Sequence, residues 1–140
     1  IDSSGSVSDE LIKSFLRQLK LILKDSKLKV GFFADYATNE FKEIKANRDI
    51  DYLKVCRCGY GTNMDSAVRA FSKRREVNKI VFTDGYPGQE PKNDLKDVNV
   101  IWIVYENKNF NPCCGKVIKV NQKDFCNLKI SKQGLEELNM

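Results

Sequence analysis

From Leu11 to Leu23 the apolar residues Leu11, Ile12, Phe15, Leu16, Leu19, Ile22 and Leu23 recur at three- and four-residue spacing. That period lines them along one stripe and predicts an amphipathic helix from Ser8 to about Asp25. Ser8 can cap its start, Asp9 and Glu10 suit the positive end of the helix dipole, and Lys13, Arg17, Lys20 and Lys24 take the polar side. Beyond this helix the period changes. Leu28 to Ala34 reads as a strand, a polar turn follows at Tyr36 to Asn39, and Glu40 to Lys45 alternates as a half-exposed strand does, antiparallel to its predecessor. Ile50 to Val55 is readable as a short helix or as an irregular approach to the next loop. A glycine-rich loop from Cys58 to Asn63 then leads into a helix from Met64 to about Arg75. Lys79 to Thr83 is a short apolar strand that Asp84-Gly85-Tyr86-Pro87-Gly88 stops abruptly. Val98 to Tyr105 is apolar on both faces and therefore belongs in the middle of a sheet. Lys116 to Val120 is a weaker strand, and Ser131 to Leu138 has a helical pattern.

Strands alternating with helices, with the strands buried, predict an α/β fold: a mostly parallel central sheet flanked by helices, Rossmann-like in its layering. The 140 residues, 41% hydrophobic and 31% charged, fit one domain over residues 1–140 with one core. Asp2 stands where the carboxyl end of a first strand belongs, yet only Ile1 precedes it. A buried central strand is therefore apparently truncated, and the expectation is that the chain is a part of a longer protein.

No apolar run reaches the ~18 residues of a membrane span, and the first residues lack the basic and apolar regions of a signal peptide. The expected setting is cytoplasmic, without a membrane. The formal net charge is +5, but the lysines are spread along the chain without interleaved aromatics, so no nucleic-acid partner is expected. The five cysteines, Cys56, Cys58, Cys113, Cys114 and Cys126, are odd in number and read as reduced thiols rather than a disulfide framework. Cys56, Cys58, Cys113 and Cys114 are enough for a zinc site in count, but their spacing does not suit one. Histidine is absent, which removes histidine triads and histidine-ligated zinc.

Three segments carry candidate chemistry: Asp2-Ser3-Ser4-Gly5-Ser6, Gly61-Thr62-Asn63 and Thr83-Asp84-Gly85. Each lies after an apolar strand or at a helix start, and in an open α/β sheet such loops meet in one crevice. Singly, each has an ordinary turn or helix-cap composition. Together they offer two carboxylates and the hydroxyls of serines and threonines, all hard oxygens, which suit Mg²⁺ better than soft metals. Asp2 and Asp84 balance one divalent ion, so the shell is close to neutral and can accept one more carboxylate from outside.

Asp2-x-Ser4-x-Ser6, then Thr62, then Asp84 resemble the metal-ion-dependent adhesion site of von Willebrand factor A domains. Gly61-Thr62-Asn63-Met64-Asp65-Ser66-Ala67 is similar to the family's segment that opens a helix, and Val81-Phe82-Thr83-Asp84-Gly85 to its later strand and turn. More narrowly, the Asp84-Gly85-Tyr86 turn and the Cys114 to Lys119 ending resemble a bacterial subgroup in which such a domain follows a metallopeptidase-like half. The resemblance implies that Ser4, Ser6 and Thr62 donate hydroxyl oxygens to a metal, with Asp2 and Asp84 binding it through water or directly. Tyr60 departs from the family, where glycine is usual; its ring would narrow the crevice or touch a partner. Trp102 reads as core, and Asp9, Glu10 and Asp65 as helix-start residues rather than ligands.

The expected function is a non-catalytic, divalent-metal-dependent protein-binding module that holds Mg²⁺, or Mn²⁺ or Ca²⁺, and takes a carboxylate from its partner. By family analogy that partner is an AAA-type ATPase. The alternative is a Mg²⁺-dependent phosphoryl-transfer or hydrolase enzyme with Asp2 as nucleophile. Such enzymes usually need a second acid in the first loop and a well-placed lysine, where this chain offers serines.

Overall fold

In the computed structural model, which describes residues 1–24, 26–86 and 88–123, helix α1 runs from Asp9 to Leu23 with Ser8 as its cap. The Ser8 hydroxyl accepts from Leu11 N at 3.1 Å. Leu11, Ile12, Phe15, Leu19 and Ile22 are buried, as their spacing requires. Each side chain so enclosed is worth about 1.5–3 kcal/mol relative to exposure. The predicted helix boundary at Asp25 falls on a residue outside the described set.

Strands β1 (Leu28–Val30) and β2 (Lys42–Ile44) pair antiparallel, Leu28 facing Ile44 and Val30 facing Lys42. The predicted strand to Ala34 is shorter than expected because the ladder breaks after Val30. Phe33 makes bridges to Asp2 and to Ala37, and Ala34 N turns back to Tyr36 O. The ambiguous stretch resolves into a short helix α2, Asn47–Asp51, followed by chain without regular structure up to Cys58. Helix α3 spans Met64–Ser72, ending before the predicted Arg75. Arg74 has left the helix axis to lie over the Phe41 ring, 4.5 Å from its centroid, and to pair with Glu76.

Strands β3 (Ile80–Thr83), β4 (Ile101–Tyr105) and β5 (Lys116–Val120) form a parallel sheet in the order β3-β4-β5. The wholly apolar β4 is central, as its sequence requires, although its ladder begins at Ile101 rather than at Val98. Residues alternate across this sheet. Phe82, Ile101 and Ile103 join the core under α1 and α2, whereas Val81, Trp102 and Val104 join the one under α3. Trp102 is fully buried and its Nε1 donates to Cys114 O at 2.9 Å, so it is a core residue. The predicted Ser131–Leu138 helix and Cys126 lie outside the described residues.

Ile1 to Ser3 are held between β1 and β3. Ile1 N donates to Gly31 O, Phe33 N to Ile1 O and Ser3 N to Phe33 O on one side, while Asp2 N donates to Phe82 O on the other. These bonds fasten the first residues to both halves of the sheet and fix where Asp2 emerges. Alongside β1 and β3, before Ile1, lies an apolar slot of about 100 Å³ lined by Leu19, Val30, Phe71, Ile80 and Val81 among others.

Candidate metal centre

The backbone of this α/β frame brings the three loops together in pairs. The first loop meets the second where Gly5 N donates to Tyr60 O at 2.9 Å. The second meets the third where Gly88 N and Gln89 N donate to Thr62 O at 2.8 and 2.9 Å. The third meets the first where the Thr83 hydroxyl donates to Asp2 Oδ2 at 2.6 Å. Every pair of loops is thus joined by at least one hydrogen bond, which is what a site built from all three needs.

Within the first loop the alternation of the motif has a physical basis. Ser3, the residue between the aspartate and the first candidate ligand, turns inward. Its hydroxyl lies 2.7 Å from Cys56 O and 3.1 Å from Phe33 O and Arg57 O. Ser4 and Ser6 face each other, with their hydroxyl oxygens 3.4 Å apart. Ser4 is fully buried and Ser6 exposed, so the pair spans from the interior to the opening. Thr62 is buried just before Asn63, whose side chain accepts from Ser66 N and starts α3.

Asp2 is wholly buried and Asp84 is 6% exposed. Asp2 Oδ1 accepts from Ser4 N at 2.9 Å and Oδ2 from Thr83. Burial is the largest influence on the Asp2 carboxyl and raises its pKa above the ordinary range. The charge of Asp84 adds to that, and the bonds from Thr83 and Ser4 offset part of it. Among the described residues no lysine or arginine forms an ion pair with Asp2 or Asp84. Two enclosed carboxylates and two facing serine hydroxyls are hard-oxygen donors of the kind a divalent cation takes. Among the described residues no group of three or more His, Cys, Asp or Glu side chains is placed to hold a metal. Any ion here would therefore depend on hydroxyls as much as on carboxylates.

The remaining candidates sort cleanly. Asp9 pairs with Arg57, which also donates to Val7 O at 2.9 Å and so ties α1 to the second loop. Asp65 accepts from Arg69 and from Lys92 N. Burial alone would raise its pKa, but those bonds hold it below the usual value, as an anchor and not a free ligand. Cys56 and Cys58 lie with their sulfurs 3.0 Å apart, while Cys114 belongs to the core on the α3 side. The four cysteines considered for zinc therefore do not form one cluster. The Tyr60 ring does not close the crevice: it rests against Gly5 and is largely exposed.

Two residues of the site were not assigned from sequence. Thr83 orients Asp2 and accepts from Gly85 N at 3.0 Å. Asp35 bonds Cys58 O through its backbone and Tyr60 N through its carboxylate, at 3.0 and 3.3 Å. Its carboxylate occupies the space a side chain would need at Gly59 or Gly61, where an added Cβ would come within 2.0 and 2.2 Å of it. Gly59 also has φ +102°, which disfavours any other residue there. The available signal for Asp35 was its place just after an apolar run, the position that Asp84 shares.

Residues 1–121 match the family model described as "VWA-like domain (DUF2201)". No curated protein matches the chain. Among solved structures the chain is similar to an aerotolerance-related membrane protein from Bacteroides fragilis NCTC 9343 that carries multiple mutations to serines. The two are 12% identical with a TM-score of 0.60, over 99% of this chain and 94% of that one. At that identity the likeness concerns the fold. No helix among the described residues is long and apolar enough to cross a membrane.

Proposed function

The chain belongs to the VWA-like domain family, whose general character is that of a protein-interaction module, and from that premise we propose that it binds a protein partner in a divalent-metal-dependent manner. The observation that carries the reading is the pair of buried carboxylates, Asp2 and Asp84, near facing serine hydroxyls and without an ion-paired basic side chain among the described residues. Buried carboxylates in that state are costly unless a cation compensates them. Ser4, Ser6 and Thr62 would hold Mg²⁺, or Mn²⁺ or Ca²⁺, through hydroxyl oxygens, and Asp2 and Asp84 would hold it through water. When bound, the ion supplies an open coordination position for a carboxylate of the partner. Both oxygens of Asp2 already accept hydrogen bonds from the protein, which favours a water-mediated contact over a direct one.

The same engagement speaks against Asp2 as a nucleophile, because an attacking oxygen must be free and presented to a substrate. The reading is therefore a non-catalytic one. An AAA-type ATPase stays the partner class that the family resemblance suggests.

Isothermal titration of Mg²⁺ and of Mn²⁺ into the chain tests the proposal, with Thr62→Ala and Asp84→Asn compared at matched circular dichroism. Saturable heat with the unmodified chain, weakened in both variants, is the expected result. A folded chain that gives no heat with either ion would refute it.

A further inference from the structure

We propose that the partner segment carries a basic side chain beside the acidic residue it offers, and that Asp35 with the exposed rings of Tyr36 and Tyr60 receives that basic group. The inference rests on the metal-dependent reading above and adds to it the chemistry of the epitope.

The surface around the candidate metal centre is unusual for this molecule. Tyr36 is 58%, Tyr60 89% and Tyr86 61% exposed. Only two other large hydrophobic side chains among the described residues, Tyr52 and Val77, are comparably open. Each of the three tyrosines sits on a chain segment that builds the centre. Tyr86 N lies 3.4 Å from Asp84 Oδ1, Tyr60 O accepts from Gly5 N, and Tyr36 O accepts from Ala34 N just ahead of Asp35. Tyr60 also reaches over the first loop, its Cδ1 3.5 Å from where a side chain at Gly5 would begin, next to Ser4 and Ser6. Exposed tyrosines grouped around one site are the residue type that anchors protein contacts.

Asp35 gives this surface its preference. It is exposed, and among the described residues it forms no ion pair, whereas Asp9, Asp51, Asp65 and Asp94 each do. Its carboxylate is held in place by the second loop, against Gly59 and Gly61. A fixed, exposed carboxylate without an ion pair among the described residues, on a surface that also carries the exposed Tyr36 and Tyr60, has the chemistry to receive a lysine or arginine.

The test uses acetylated, amidated alanine peptides that carry one Asp and one Lys at varied separation, and matched peptides with norleucine in place of Lys. Binding to the ¹⁵N-labelled chain is followed by chemical-shift titration in Mg²⁺ and in EDTA. The expected result is Mg²⁺-dependent binding that is roughly two- to fivefold tighter for a Lys peptide than for its norleucine match. That advantage disappears in Asp35→Asn and in the Tyr36→Ala, Tyr60→Ala double variant. Equal Mg²⁺-dependent binding of Lys and norleucine peptides at every separation overturns this inference and leaves the metal-dependent reading intact. Peptides that bind no better in Mg²⁺ than in EDTA overturn both.

Discussion

Replacing Asp2 with asparagine separates what this residue costs the fold from what it does for a metal. The side chains have the same shape, and asparagine retains both contacts: its carbonyl accepts from Ser4 N, and its amide donates to the free lone pair of Thr83 Oγ1. What is lost is a charge at a fully buried position close to a second carboxylate. A buried ion costs several kcal/mol before compensation, and about 1 kcal/mol is returned through the weakened bond to Thr83. In EDTA near pH 7 the Asp2→Asn variant is therefore expected to be more stable than the unmodified chain by roughly 1–3 kcal/mol.

Two further arms make the reasoning refutable. Burial and Asp84 raise the Asp2 pKa in the fold above its unfolded value. Between those two values the unfolded chain releases its proton first, so stability falls as pH rises through the window, and below the window the penalty is absent. The advantage of asparagine must therefore vanish toward pH 4 or below. In Mg²⁺ the order must change, because a ligand at a hundred times its Kd adds about 2.7 kcal/mol to the unmodified chain and less to a variant with one carboxylate missing. Urea unfolding at each pH, with EDTA or Mg²⁺ and a shared m value, supplies all four comparisons. A variant that is less stable than the unmodified chain in EDTA near pH 7 would show that the Asp2 charge is already balanced within the protein.

Other consequences are as direct. Gly61→Ala places a Cβ 2.2 Å from an oxygen of Asp35 and should cost about 1 kcal/mol in urea unfolding, a loss that Asp35→Ala restores; Gly59→Ala, whose backbone is left-handed, should not be restored by the same change. Burial pushes the Cys58 and Cys114 thiols up to about 12, so iodoacetamide near pH 8 should label exposed Cys113 and spare both of them until urea is added, as peptide mass spectrometry would show.

Much of the frame was legible because it depends on local pattern. The helical stripe from Leu11 to Ile22 and the two-faced apolar run of β4 each have one packing solution, and α1 and the central strand follow from them. Lengths that depend on a neighbour were less legible. Leu28 to Ala34 stays apolar throughout, yet the ladder with β2 ends at Val30, because Gly31 and Phe33 bond Ile1 and Asp2 instead. Met64 to Arg75 keeps a helical pattern, but α3 ends at Ser72 and Arg74 lies over the ring of Phe41, thirty-three residues away in sequence. In the candidate site, Asp2, Ser4, Ser6, Thr62 and Asp84 stand out in sequence by the order of their loops and by the family motif they resemble. Thr83 does not, since its importance lies in one hydrogen bond across eighty-one positions. Asp35 does not either, since its importance lies in the empty space of two glycines.

The distribution of charge gives these parts a common consequence. The chain is formally +5, yet the loops around the candidate centre hold Asp2, Asp84, Asp35 and Glu10, while Asp9 pairs with Arg57 and Arg17 lines the cleft that Asp84 and Glu10 share. A face of that sign in a basic molecule attracts small cations and repels a lone partner carboxylate. Once a divalent ion is held, Asp2 and Asp84 are balanced and the repulsion at the centre is removed. Asp35 is not balanced by the same ion, since the second loop holds it by Gly59 and Gly61 at the rim. On the proposed reading, electrostatics would set the order of events: metal first, partner carboxylate second, with the partner's basic neighbour drawn to the charge that is left. Raising salt should weaken the last of these contacts more than the first, because the rim is open to solvent and the centre is not.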